Sequence, residues 1–257
     1  MRWDPGVYAR HAGLRGRPFF DLVARVGHPE PRTVVDLGCG PGDLTDALAH
    51  RWPRATVRGI DASEDMIDAA RRRDAPPNLV FEVGDLRDYR PGGDDVIVTN
   101  AALQWVPGHE ALLVSWAAAL PAGGWLAMQV PGNFSAPSHA LMRRHAATAR
   151  WERRLRGVLR HDDAVREPAD YLDLLLSAGL EADVWETTYQ QVLPGEDAVL
   201  DWVRGTGLRP VLDALPPGEA AEFETGYAKL LREAYPRSRH GTVFGFRRIF
   251  AVGHRAS

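Results

Sequence analysis

Cysteine and lysine are almost missing from this sequence. The one cysteine, Cys39, has no second thiol to pair with, so no internal disulfide framework can form. Lys229 is the only lysine, and the other basic residues are all arginine. A GC-rich genome produces such a bias; the planar guanidinium fork also suits the recognition of carboxylates. Neither sign of charge is in large excess: 31 Lys plus Arg stand against 34 Asp plus Glu, a net charge of −3. Nucleic-acid binders usually carry a basic excess, so no nucleic-acid partner is expected. No run of 18 apolar residues occurs, so no membrane span is expected. The opening "MRWDPGVYAR" lacks the apolar segment of a secretory signal, which predicts a cytoplasmic protein. Repeats and low-complexity segments are absent, and no metal site is expected.

What is present is ordinary globular material: 257 residues, 45% hydrophobic and 25% charged. "TVVDLG" at 33–38 reads as a short buried strand that ends in a glycine turn. A helix is expected over 43–52, stopped by Pro53, and a second strand over 56–61. Ser63 is a natural N-cap for a helix over 63–73, with Glu64 and Asp65 in its first turn. Strands follow at 79–85, 94–100 and 123–131, with a helix at 110–120. Strands alternating with helices at this spacing predict a parallel sheet with helices on both faces. After Pro131 the pattern changes. The arginine-rich stretch within 133–166 reads as helical, and a further helix is expected at 168–180. Residues 182–193 and 242–254 alternate like strands, and 196–235 reads as two helices. The expectation is α/β: one domain over 1–257 with a doubly wound, mostly parallel, seven-stranded sheet. Its binding core spans 30–131, and helical additions at 132–166 and 195–240 cap the C-terminal edge of the sheet.

In a doubly wound sheet, ligands bind outside the carboxyl ends of the strands. "VVDLGCGPGDLT" places Gly38, Gly40 and Gly42 there. A nicotinamide fingerprint would need glycine or alanine at position 43, where Asp43 would face a pyrophosphate. The spacing suits instead a ligand without phosphates that packs against bare backbone. Asp36 precedes the loop. Asp61 ends the second strand, where a carboxylate can accept both ribose hydroxyls. Asp85 ends the third strand, and its carboxylate can accept from an adenine amino group. Asn100 ends the fourth. Four polar residues on one edge of the sheet make a coherent nucleoside site.

"VVDLGCGPG", "GID.S..MI..AR" and the strand ending in "TNAALQWV" resemble class I S-adenosylmethionine-dependent methyltransferases, which have a Rossmann-like sheet. The resemblance implies that Asp36, Gly38 and Gly40 hold the methionine part and Asp61 the ribose. It likewise assigns Asp85 and Leu86 to the base, and adds Ala62, Met66, Asn100 and Trp105 as cofactor contacts. A narrower resemblance covers nearly the whole chain: "RWDPGVY", "RGRPFFDL", "NAALQWVPGH", "PGNF..PSH.LMR", "WVRGTGLRP" and "RRIFAV" are similar to trans-aconitate 2-methyltransferases. These transfer a methyl group from S-adenosylmethionine to a carboxylate of trans-aconitate, giving the monomethyl ester. Trp3 and Tyr8 either cover the cofactor or staple the N-terminus to the domain.

A sulfonium methyl is already activated, and a carboxylate at neutral pH is already ionised. Such a reaction needs no general base. It needs in-line positioning and exclusion of water, so no acid–base residue is named. A tricarboxylate acceptor does need cationic partners, because burying its charges alone is very costly. Candidates are Arg209, Arg247 and Arg248, with Arg17, Arg143 and Arg144 behind them. Strand alternation sends Arg247 and Arg248 to opposite faces, so one of the two at most enters the site. Trp105 and His139 are further pocket candidates. Two alternatives stay open: a methyltransferase acting on another small acid or on a natural-product hydroxyl, and a non-catalytic S-adenosylmethionine-binding regulator. A hydroxyl acceptor would need a base, for which His139 and His109 are the available histidines.

Overall fold

In a computed structural model the described residues are 12–159 and 162–256. Trp3 and Tyr8 lie outside them. The first strands form where β-branched residues run together. β1 (Thr33–Leu37) is buried along almost its whole length, as are β4 (Val96–Asn100) and β5 (Trp125–Pro131). Continuous apolar burial is what strands covered on both faces require. β2 (Thr56–Asp61) and β3 (Leu79–Val83) complete this half of the sheet. The pairs β1–β2, β1–β4, β2–β3 and β4–β5 are all parallel. Helices α2 (Asp43–Arg51), α3 (Glu64–Arg71) and α4 (His109–Ala119) connect them. Ser63 caps α3, its hydroxyl accepting from the Met66 N–H at 3.4 Å.

The sheet continues through β8 (Gly241–His254) to β6 (Glu181–Leu193), in the order β3-β2-β1-β4-β5-β8-β6. Gly123 and Gly124 bond to Arg255, and Gly132 bonds to Arg247, so β8 runs antiparallel to β5. The expected seven strands are the seven of this path. An eighth, the two-residue β7 (Arg237–Ser238), pairs with β8.

Several boundaries differ from expectation. A helix α1 (Ala12–Val23) lies where no element was expected, and it holds Gly16 and Pro18, both poor helix formers. Burial outweighs them: Phe19 and Leu22 are sealed in the core. The fourth strand begins at Val96 and not at 94, because the two aspartates before it turn inward to hold loops. Asp95 accepts from the Arg32 and Thr33 N–H groups at 2.7 and 3.1 Å. Asp94 accepts from the Tyr89 hydroxyl and from the Gly92 N–H. The third strand likewise stops at Val83, leaving Asp85 in the following turn.

The described residues divide into two compact units: 12–130, 166–186 and 249–256 form the first, and 131–159, 162–165 and 187–248 the second. The second unit has a core of its own, in which Trp151, Trp202, Phe223, Tyr227 and Phe244 are buried. Its first helical stretch is broken into α5 (Pro137–Ala146) and α6 (Glu152–Leu155). Thr148 bonds back to the His145 carbonyl at 2.8 Å, and Trp151 turns into the core. Residues 196–235 hold three helices, α8 (Ala198–Arg204), α9 (Arg209–Ala214) and α10 (Pro217–Ala234), where two were expected. α7 (Pro168–Ser177) belongs to the first unit. No described helix is long and apolar enough to cross a membrane.

One buried polar chain fixes the end of the "NAALQWV" segment. The His109 Nε2 lies 2.7 Å from the Tyr171 hydroxyl, and its Nδ1 lies 3.2 Å from the Val106 carbonyl. The Tyr171 oxygen also accepts from the Arg166 N–H. Burial holds His109 below the usual histidine range, in the neutral form. A neutral ring donates from Nδ1 to Val106 and accepts at Nε2 from Tyr171. Tyr171→Phe removes that donor and the acceptor of the Arg166 N–H. It should destabilise the protein by roughly 1–3 kcal/mol, read as a lowered Tm; an unchanged Tm would show that the chain contributes nothing.

Candidate active site

At the carboxyl ends of β1 to β4 the first unit encloses a cavity of about 530 Å³. Its walls include Asp36, Gly38, Gly40, Asp61, Ala62, Met66, Asp85, Leu86, Asn100 and Trp105. The structure thus brings together all ten residues that sequence reasoning assigned to the cofactor.

The glycine loop shows why backbone is exposed there. Gly38 has φ +80°, and a Cβ on it would sit 2.4 Å from the Ala102 Cβ. Gly40 has φ +57°, and a Cβ there would meet nothing within 4 Å. Gly38 is thus required by its neighbour, whereas Gly40 turns its open side to the cavity it lines. The loop is held from across the sheet edge. One oxygen of Asp61 accepts from the Gly40 N–H at 2.9 Å, and the other from the Ser63 N–H at 2.9 Å. Each carboxylate oxygen keeps a further lone pair for a ligand.

Asp36 lies deeper, 3% exposed, and accepts from the Thr45 hydroxyl at 2.7 Å. Burial, opposed by that hydrogen bond and reinforced by the nearby Asp61 charge, pushes its carboxyl up to about 7. Asp85 is forked by Arg87, which the sequence reading did not anticipate, with Nε at 2.9 and 3.0 Å from the two oxygens. Hydrogen bonds from Arg87 hold its carboxyl below the usual range. Asn100 presents an Oδ1 that is buried and without a partner. Ala101 beside it is the only described non-glycine residue with positive φ, +54°, and no sequence signal announces it. Burial and the neighbouring carboxylates push the Cys39 thiol far up, so it stays protonated and is no nucleophile.

Four carboxylates, Asp36, Asp43, Asp61 and Asp85, face this cavity, against one arginine, Arg87. A phosphate-rich dinucleotide would be repelled. A nucleoside with a cationic amino-acid tail fits: carboxylates for hydroxyls and cations, bare Gly40 backbone for close approach, and Asn100 Oδ1 as a waiting acceptor.

None of the described acceptor candidates other than Trp105 lines this cavity. Arg209 makes an ion pair with Asp213 at 3.3 Å. Arg248 is 6% exposed, with its guanidinium 4.1 Å above the Phe246 ring. Arg247 on the same strand is half-buried, and Arg144 is exposed. Arg17, on α1, is exposed beside Asp21. His139 and Arg143 line a small cleft of about 20 Å³ with Phe134, Met142, Gly207 and Pro210.

A methyltransferase-domain profile matches residues 34–124. A trans-aconitate 2-methyltransferase of Streptomyces coelicolor is 55% identical over 98% of this chain and 86% of its own. The chain belongs to the trans-aconitate 2-methyltransferase family. Members from Rhodococcus jostii and Mycobacterium tuberculosis are 53% and 47% identical, each over 97% of this chain and 98% and 95% of their own lengths. The fold is shared more widely. The YcgJ protein of Bacillus subtilis superposes with a TM-score of 0.60 at 14% identity, over 94% of this chain and 99% of its own. A phosphoethanolamine N-methyltransferase of Haemonchus contortus gives 0.55 at 14% identity, over 98% of this chain and 57% of its own.

Asp36 yields a pH prediction. Below its carboxyl value of about 7 the group is protonated and neutral, so a cationic ligand must first displace the proton. Affinity for S-adenosylmethionine should therefore weaken as pH falls below 7, by at most about tenfold per unit. Asp36→Asn should bind weakly and without that dependence. Calorimetry from pH 5.5 to 8.5 checks this; a pH-independent wild-type affinity would remove Asp36 from the cation's contacts.

Proposed function

We propose that this chain transfers the methyl group of S-adenosylmethionine to a carboxylate of trans-aconitate, releasing the monomethyl ester. The observation that carries this reading is similarity to trans-aconitate 2-methyltransferases over nearly the whole chain, beyond the cavity and through both units. The acid-lined cavity supports the cofactor half of the reading. When bound, the cofactor supplies a methyl group activated by its sulfonium charge. Everything else falls to the chain's own residues.

Asp61 binds the ribose and Asp85 with Leu86 the base, while Asp36, the Gly38 and Gly40 backbone and Asn100 take the charged tail. The acceptor carboxylate is ionised at neutral pH, so no residue has to remove a proton. His109 fits that chemistry, since both its nitrogens are engaged with Tyr171 and Val106. The residual task is to hold the non-reacting carboxylates, for which Arg209 and Arg248 are the first choices and Arg247 and His139 the next. A bidentate arginine on the reacting carboxylate would draw off the charge it needs. The reading places the reaction in the cytoplasm, with a small polycarboxylate as partner and neither nucleic acid nor membrane.

Incubation with labelled S-adenosylmethionine and a panel of di- and tricarboxylates, followed by identification of the ester, tests the reading directly. At saturating cofactor, kcat should be nearly flat from about pH 6.5 to 9, because the nucleophile is ionised throughout. A steep rise near a histidine or tyrosine value would point to a hydroxyl acceptor instead.

Arg209→Ala or Arg248→Ala should cost about 3–5 kcal/mol in kcat/KM if that arginine clamps a carboxylate. Lysine at the same position should restore only part, because the fork is lost. Cofactor affinity should not move, and a tricarboxylate should suffer more than a monocarboxylate. Equal losses for both acceptors, or none in either variant, would make these arginines structural.

A further inference from the structure

We propose that the Gln129 carboxamide is a neutral shelf that hydrogen-bonds the reacting carboxylate of the acceptor through its Nε2 and orients it for methyl transfer. The inference rests on the methyltransferase reading above and adds to it the station at which the nucleophile is held.

Register places the two side chains together. β4 and β5 are parallel neighbours in which Asn100 stands opposite Gln129. Two residues earlier, Val98 stands opposite Ala127 on β5 and Asp36 on β1. In-register neighbours keep their side chains on one face, and residues two apart return to it. Asp36, Asn100 and Gln129 therefore share a face, and the first two line the cavity. Along the sheet edge the strand order sets Asp85, Asp61, Asp36, Asn100 and Gln129 in series. The carboxylates at the β3, β2 and β1 positions serve the cofactor. Gln129 extends the polar row one strand beyond Asn100.

Gln129 is also unexplained by the fold. It is 1% exposed, and neither its Nε2 nor its Oε1 has a partner. The Oδ1 of Asn100 beside it is buried and unpaired as well. Burying an amide with no partner is costly, and an apolar residue of similar length would avoid the cost. Gln129 stands beside Asn100, which lines the cavity; Gln129 supplies an unpaired donor, and the acceptor oxygen of Asn100 stays with the cofactor.

The chemistry selects the ligand. An amide N–H is a neutral donor. It can fix one oxygen of a carboxylate without cancelling the charge, leaving a lone pair on the other oxygen to attack. That pair forms the new C–O bond to the methyl carbon while the S–C bond breaks and its electrons pass to sulfur; no proton moves. An arginine fork would occupy both oxygens and lower their nucleophilicity. Neutral amides thus suit the reacting carboxylate, and guanidinium groups the spectators.

The test uses full-length Gln129→Met, with Gln129→Leu as a second variant should the first fold poorly. In the ligand-free protein Tm should stay level or rise, because an unpaired buried amide has been removed. S-adenosylmethionine affinity by calorimetry should stay within about twofold, while kcat/KM for trans-aconitate falls by about tenfold or more, the order expected for a lost hydrogen bond to a charged group. A lowered Tm with unchanged kinetics would make Gln129 a structural amide and overturn the proposal. A loss confined to cofactor affinity would assign it to the cofactor and overturn it equally. If the wild type turns over no carboxylate, the functional reading fails by itself. Carboxylate binding beside S-adenosylhomocysteine then decides the shelf: binding lost in the variant supports it, and equal binding, or none in either protein, overturns it.

Discussion

One carboxylate organises the cofactor end of this molecule. Asp61 ends β2 and bonds through separate oxygens to Gly40 in the loop after β1 and to Ser63 at the start of α3. Each bond is a charge-assisted contact to backbone, the stronger kind of protein hydrogen bond. Together they tie the glycine turn, the strand next to it and the following helix into one corner. The loop is further braced by the Gly38 and Cys39 N–H groups, which both donate to the Ile60 carbonyl. Ser63 then caps α3, which carries Met66 into the cavity wall. A change at Asp61 would therefore disturb the shape of the site together with its charge, and Asp61→Asn, which keeps an acceptor, separates the two better than alanine.

The corner is built at an electrostatic cost. Burial, with a smaller push from the nearby Asp61 charge, raises the Asp36 carboxyl to about 7. Buried like charges destabilise the empty site, and a cationic ligand relieves them. Binding energy is stored in the lining and not only in contacts formed on arrival. The same logic explains Arg87: Asp85 is less buried and already has a counter-ion, so its carboxyl is held down where that of Asp36 is raised.

The parts of the fold that were legible in the sequence follow from strong local signals. Apolar, β-branched runs such as "TVVDL" and "DVIVT", short and bounded by turn residues, read as strands buried on both faces, and polar residues at their carboxyl ends lie where such a sheet binds its ligand. That is why ten cofactor candidates converge on one cavity. The hidden parts depend on tertiary context. α1 contains a proline and a glycine and is held by the burial of Phe19 and Leu22. The helical stretch after Pro137 breaks where Trp151 gains more from the core than from continuing the helix. Ala101 adopts positive φ beside the Gln104 amide, which donates to its carbonyl at 2.5 Å. Gln129 sits inside an apolar strand, and nothing in "WLAMQVP" distinguishes a binding amide from a tolerated one. Only register and the absence of a partner single it out.

The two substrates of the proposed reaction make opposite electrostatic demands, and this constrains where each can be held. A wall with four carboxylates attracts a sulfonium and an ammonium but repels a polycarboxylate. Arginines able to hold that polycarboxylate would weaken the cationic site if placed within it. The carboxylates belong to the first unit, and Arg209, Arg247 and Arg248 to the second. Where the two reacting groups must meet, neither sign of fixed charge is tolerable, because a carboxylate there would repel the acceptor and a guanidinium would quench it. A neutral, polar, desolvated donor is the solution left, and the buried Gln129 carboxamide on β5 has that character. Cofactor binding brings net positive charge to this wall and so lessens the repulsion that the anionic acceptor meets there.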